Sequence, residues 1–260
     1  MKYLKNVIIV LIVIGVLAGG CYYGMKISKN NDNQSEITQK NSNENVINEE
    51  KNEGKNETAK EEKIEDIYSE VIKDYRLAKE EYDPNQISSI ENKYPLVNDS
   101  LILHLYSYSE NNVGLGYTFY DIDNNGRKEL IVGVTNGIDN SIMPAAIYTY
   151  TKNKEVRKIY FLDTIERGNL AIYDNGVIYS SGSGGAAIHY YNFFKMSGDG
   201  DSIETLEKVR EEYKTTSDVK YYNNENDKEL NYKSSDEITA NYINGSKEIK
   251  LNADGKIDEH

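Results

Sequence analysis

Tryptophan is absent from this sequence, and its 260 residues hold 4 phenylalanines, 3 prolines and 1 cysteine. The lone cysteine, Cys21, excludes an intrachain disulfide framework. The histidines His104, His189 and His260 share no metal-ligand spacing, so a zinc centre has no donor set. Positive charge is also short: 30 Lys and Arg stand against 43 Asp and Glu, for a net charge of -13. A chain of that sign has no basic footprint for neutralising phosphates, which excludes nucleic acid as a partner. Long apolar runs are missing too, except for one at the N-terminus.

Tyrosine, with 23 copies, replaces the missing aromatics. Its ring buries apolar area while its hydroxyl stays bonded or hydrated, which suits half-buried β surfaces. Length alone admits one or two domains. The N-terminal composition is so unlike the rest that one folded domain, residues 61–260, is expected.

Residues 1–25 read as an export signal or membrane anchor, with Lys2 and Lys5 ahead of the apolar-or-Gly run Val7 to Gly20. Two forms of anchor stay open. In a lipoprotein, Ala18-Gly19-Gly20 would precede cleavage and the Cys21 thiol would carry diacylglycerol; Leu17 lies one position further from the cysteine than a lipobox places it. In a spanning helix, Val7 to Met25 would reach roughly 28 Å, with Tyr3 and Tyr22-Tyr23 at the two interfaces. Residues 26–60 are almost wholly Asn, Lys, Glu, Gln, Ser and Thr, without an aromatic. Such a tract buries too little apolar area to offset ordering entropy and reads as a disordered polar linker.

Ile64, Ile67, Val71, Tyr75, Ala78 and Tyr82 recur at three- and four-residue steps, predicting an amphipathic helix that Asp83-Pro84 ends. A shorter helix is expected over 87–94. Leu101 to Tyr108 admits helix or strand, and Asp99 or Ser100 as a cap favours helix. From Gly116 the chain becomes short Tyr- and Ile-rich runs, with strands expected at 116–120, 129–135, 145–151, 155–162, 169–173, 177–181, 187–196 and 202–213. Turns at Lys152-Asn153-Lys154, Asp174-Asn175-Gly176 and Ser197-Gly198-Asp199-Gly200 space them too closely for parallel crossovers. Ser234-x-x-Glu237 predicts a capped helix that stops at Asn244-Gly245, and Asn252-Ala253-Asp254-Gly255 predicts one more turn. The expected fold class is α+β: an N-terminal amphipathic helix or helices, then a mostly antiparallel β meander of one sheet.

The most specific chemistry lies in Asp121-x-Asp123-x-Asn125-Gly126-x-x-Glu129. Side-chain oxygens at its first, third and fifth positions, the Arg127 carbonyl at the seventh and Glu129 at the ninth match the ligand periodicity of hard cations such as Ca2+. An EF-hand requires a bidentate Glu at the twelfth position, where Val132 stands, and helices rather than strands on either side. This loop resembles the strand-loop-strand calcium site of FG-GAP and VCBS-type repeats. More closely, Phe119 to Ile131 is similar to a segment of uncharacterised membrane-anchored surface proteins and lipoproteins of Gram-positive Firmicutes. That resemblance also takes in the anchor, the linker and the Ser-Gly-x-Gly-Gly run before a Tyr-rich strand. It implies an extracellular location and calcium, and it implies no catalytic activity.

Other stretches invite sharper readings. Gly182-x-Gly184-x-x-Ala187 matches a dinucleotide fingerprint, but that motif must open a helix and a strand is expected next. Ser183 with His189 or His104 would supply a serine hydrolase, yet the flanking residues do not form a nucleophile elbow. A glycine-rich turn or bulge is the plainer account. Tyr-rich runs such as Ile147-Tyr-Thr-Tyr150 and His189-Tyr-Tyr191 serve either core packing or a platform for glycan or protein. The expectation is a non-enzymatic, calcium-stabilised cell-surface binding or scaffolding module. Its partners would be the membrane, through the anchor, and an extracellular protein or glycan. The alternatives are an extracytoplasmic serine hydrolase and a carbohydrate-binding module.

Overall fold

The computed structural model describes residues 63–85, 90, 92–107, 113–215 and 218–257. The anchor with Cys21, the linker, His260 and part of the helix expected over 87–94 lie outside the described residues. Among the described residues, no helix is long and apolar enough to cross a membrane.

The helices are α1 (Ile64–Glu80), α2 (Asp99–Ser107) and α3 (Ser235–Ile243). The strands are β1 (Val113–Tyr120), β2 (Glu129–Asn136), β3 (Ile142–Tyr150), β4 (Val156–Phe161), β5 (Gly168–Ile172) and β6 (Ile178–Gly185), followed by β7 (Ile188–Met196), β8 (Ile203–Thr215), β9 (Asp218–Asn223), β10 (Glu229–Leu230) and β11 (Gly255–Lys256). They form two antiparallel sheets, one ordered β11-β1-β2-β3-β4 and the other β10-β9-β8-β7-β6-β5. The class is α+β, as expected, but the single meander is corrected to two stacked sheets. The reason lies in β2 and β3. From Glu129 to Thr135 every β2 residue is buried, so both faces of the first sheet need cover, which one sheet and a pair of helices cannot supply.

Helices cover one face of the first sheet. Tyr68 of α1 stacks on Phe119 with ring centroids 5.9 Å apart, and Tyr75 meets Tyr148 edge-on at 6.3 Å. The Tyr75 and Tyr148 hydroxyls bond at 2.8 Å, and Asn98 N donates to Tyr75 Oη at 3.0 Å, so the buried phenols are satisfied. Register puts Ile131, Ile147 and Tyr160 on the opposite face, toward the second sheet. There Tyr160 lies 5.3 Å from Phe194, centroid to centroid, and donates to Ser180 Oγ at 2.7 Å. α3 closes the outer face of the second sheet, with Tyr242 stacked on Phe193 at 4.5 Å and Ile238 fully buried. Ser234 caps α3 as expected, accepting from Glu237 N at 3.2 Å. The order of layers is therefore helices, sheet, sheet, helix.

Two details depart from expectation. Residues 218–223 form β9, which pairs along β8. Gly255, expected in a turn, joins Lys256 in β11 at the edge of β1. The glycine-rich run, expected as a turn or bulge, is the end of β6, with a bulge-like register shift between Ser183 and Gly185.

Candidate metal centre

At one end of the first sheet, Tyr120 pairs with Glu129 and residues 121–128 loop between β1 and β2. Asn124 (φ 59) and Gly126 (φ 86) turn left-handed, which a glycine does without Cβ strain and an Asn tolerates. The loop is wired by its own carboxylates. Asp121 accepts from Asn125 N at 3.0 Å and from Gly126 N at 2.9 Å. Asp123 accepts from Asn125 N at 3.2 Å and from Asn125 Nδ2 at 2.9 Å, while Asn125 Oδ1 accepts from Arg127 N at 2.7 Å. Such Asx-type bonds fix where the carboxylates point.

Glu129 lies beneath the loop and is 0% exposed. Ile122 N donates to its Oε2 at 2.9 Å. Its other oxygen is 3.3 Å from Thr149 Oγ1, but that hydroxyl has one proton and stands closer, 3.0 Å, to the Gly200 carbonyl. Burial first, with the Asp123 and Asp121 carboxylates adding to it, pushes the Glu129 carboxyl up to about 7 against the lowering effect of the Ile122 N–H. Asp121, Asp123 and Glu129 each bring an oxygen within 4.8 Å of the others. A buried carboxylate with one firm donor and two like charges beside it lacks the compensation that burial demands. An oxygen-only set of this kind suits a hard divalent cation.

Arg127 feels the Glu129 and Asp123 charges, but its guanidinium donates its hydrogen bonds elsewhere. Its Nη1 donates to Tyr150 O at 2.8 Å and to Asp201 Oδ1 at 2.9 Å, and its Nη2 to Asp199 O. These bonds tie the loop to the β7–β8 turn of the second sheet. Gly200 there has φ 71, and a Cβ would lie 2.4 Å from Arg127 Nη2 and Asn125 Nδ2. From the other side, Tyr68 Oη donates to Lys128 O at 3.0 Å. The site thus joins α1, the first sheet and the second.

Of the residues singled out in the sequence, the structure gathers the three carboxylates. The Asn125 amide is spent within the loop, and the Arg127 side chain is spent on the neighbouring turn. Sequence reasoning missed Thr149, Gly200, Asp201 and Tyr68, since no local spacing links them to the motif. The hydrolase candidates are placed differently. Ser183 pairs across strands with His189, but its hydroxyl donates to Gly185 O at 2.8 Å and accepts from Gly185 N at 3.3 Å. The His189 ring packs edge-on to Tyr213, and His104 Nδ1 on α2 lies 3.4 Å from Glu166 Oε1.

Comparison with family models, curated proteins and solved structures finds no match to this chain.

Proposed function

We propose that this chain is a non-enzymatic, calcium-stabilised binding or scaffolding module, anchored by its N-terminus to the outside of a Gram-positive cell membrane. The observation that carries the calcium reading is Glu129, fully buried with the Asp121 and Asp123 oxygens within 4.8 Å. Asp121, Asp123 and Glu129 would hold the ion with the Arg127 carbonyl, and Asn125 would join them, as the motif expects, by sharing the oxygen that now accepts from Arg127 N. Bound calcium supplies charge compensation here, not chemistry on a substrate. Outside a cell, modules of this kind bind calcium at roughly 10⁻⁴–10⁻³ M, near the ambient level, so the ion acts as a permanent clip.

The extracytoplasmic location is supported by the apolar segment Val7 to Gly20 and the polar tract behind it. The hydrolase alternative has less behind it, because the Ser183 hydroxyl proton is spent on the Gly185 carbonyl at the end of its own strand. Tyrosine-sensitised terbium luminescence tests the metal site. We expect saturable binding that calcium displaces and that Asp123→Ala abolishes. Terbium signal unchanged by Asp123→Ala would remove the reading. Ester or peptide hydrolysis lost in Ser183→Ala would replace the binding module with an enzyme.

A further inference from the structure

A second concave site lies away from the metal loop, where the β4–β5 connection faces β6 and β7. Its volume is about 290 Å³, at the small end of the range of small-ligand pockets. Tyr160, Asp163, Ser180, Tyr190, Asn192 and Asn224 line it. The floor is stripped of side chains at Gly168, Gly182 and Gly184. A Cβ at Gly184 would lie 2.8 Å from the Tyr190 ring, so that glycine leaves the ring room to approach the strand end.

We propose that this cleft binds a neutral saccharide unit. Three features select that class. Its polar groups are hydroxyls, amides and a single carboxylate, the mixed donors and acceptors that a ring of hydroxyls requires. No Lys, Arg or His lines it, so a phosphorylated or carboxylated ligand would meet no counter-charge. Cations on the adjoining strand are already committed: Arg210 to Glu212 and Asp227, each at 2.8 Å, and Lys208 to Glu225 at 3.1 Å. Leu162 is the one aliphatic side chain in the lining, too little for a lipid or other greasy ligand.

Aromatic surface and rigidity complete the argument. Tyr190, half-buried in the lining, supplies apolar ring surface against which the C–H face of a pyranose would pack, while Tyr160, its ring packed on Phe194, brings a hydroxyl bonded to Ser180. Tyr160 is held by its bond to Ser180, itself 3% exposed and paired to Asn192 across the strands. On the far wall, Ser100 Oγ donates to Asp163 O at 2.7 Å and pins the connection to α2. Walls fixed by paired strands and an anchored loop bind without first having to order themselves.

The cleft names a ligand class for the binding module proposed above and rests on that reading. It shares none of the metal loop's residues, so the two stand or fall separately. The test is isothermal titration of the full-length chain with methyl glycosides of glucose, galactose and N-acetylglucosamine and their β-linked dimers. Glucuronic acid and glucose 6-phosphate serve as charged comparators. We expect at least one neutral glycan to bind, Tyr190→Ala to weaken it about tenfold or more, and Asn192→Ala to weaken it several-fold. Both variants should melt like the parent within a few degrees. Neutral binding that persists in a chain indifferent to calcium supports the cleft and removes only the clip. The proposal is overturned if no neutral glycan binds up to about 10 mM, if the charged comparators bind as well, or if both variants keep full affinity.

Discussion

Glu129 and Glu211 are the same residue type at nearly the same burial, 0% and 3% exposed, yet the protein treats them in opposite ways. Glu211, on the outer face of β8 beneath α3, accepts from Tyr221 Oη at 2.9 Å and from Tyr191 Oη at 2.8 Å. Burial and the bond to Glu211 hold both phenols well above the ordinary tyrosine range, so they remain donors. Two residues along the same face, Glu207 repeats the device with Tyr232 at 2.5 Å and Tyr242 at 3.0 Å. Glu129 has a backbone N–H, a shared threonine proton and two carboxylates for company. Burial alone therefore does not call for a cation; the absence of donors does. The second sheet spends Tyr191 and Tyr221 on Glu211, whereas the first sheet spends Tyr148 on Tyr75 of α1.

The comparison breaks most visibly at Glu211. Glu211→Ala leaves two phenol hydroxyls without their acceptor and should cost about 3 kcal/mol, read as a fall of roughly 6–12 °C in Tm. Glu129→Gln has the opposite sign when metal is chelated, because it deletes a buried charge. In EDTA it should raise stability near pH 8 by on the order of 2 kcal/mol.

The same logic sets the pH dependence. Glu129 has its folded pKa raised to about 7 from an ordinary 4.5, so the folded state binds the extra proton between those values. Its contribution to stability is fully present below about 4.5 and is lost as pH rises through about 7. In EDTA the gap between Glu129→Gln and the parent should widen over that window, and calcium should bind more tightly at pH 8 than at pH 5.5. A gap that stays flat across the window would return Glu129 to ordinary behaviour. The smallest effect belongs to the tie between the sheets. Arg127 and Asp201 are partly exposed, so Asp201→Asn should cost under about 1 kcal/mol in thermal melting and leave the calcium response intact.

Much of this site was legible in the sequence because its carboxylates fall within nine residues, where spacing alone decides which oxygens can converge. The loop's meaning was not. Arg127 meets Asp201 across 74 positions and Tyr68 meets Lys128 across 60, separations that no periodicity encodes. The loop therefore looked like a tie between two strands, and the fold makes it a tie between two sheets and a helix. Tyr68 was left out of the expected helix face, although that face buries it completely alongside Val71, Tyr75 and Ala78. Strand runs with strong apolar content were visible from Gly116 onward. Strand β9 and the edge strand β11 were not, since Asp218 to Asn223 and Gly255-Lys256 owe their conformation to partners rather than to composition.

The central claim is that Glu129 is buried in readiness for a cation, and thermal melting of the parent and Glu129→Gln tests it most directly. Each chain is melted at pH 7.5 in EDTA and in about 2 mM calcium, above the affinity range of extracellular sites. The account predicts that calcium raises the Tm of the parent by several degrees, on the order of 1 kcal/mol, and leaves Glu129→Gln unmoved. Superimposable curves for the parent in EDTA and in calcium would contradict it.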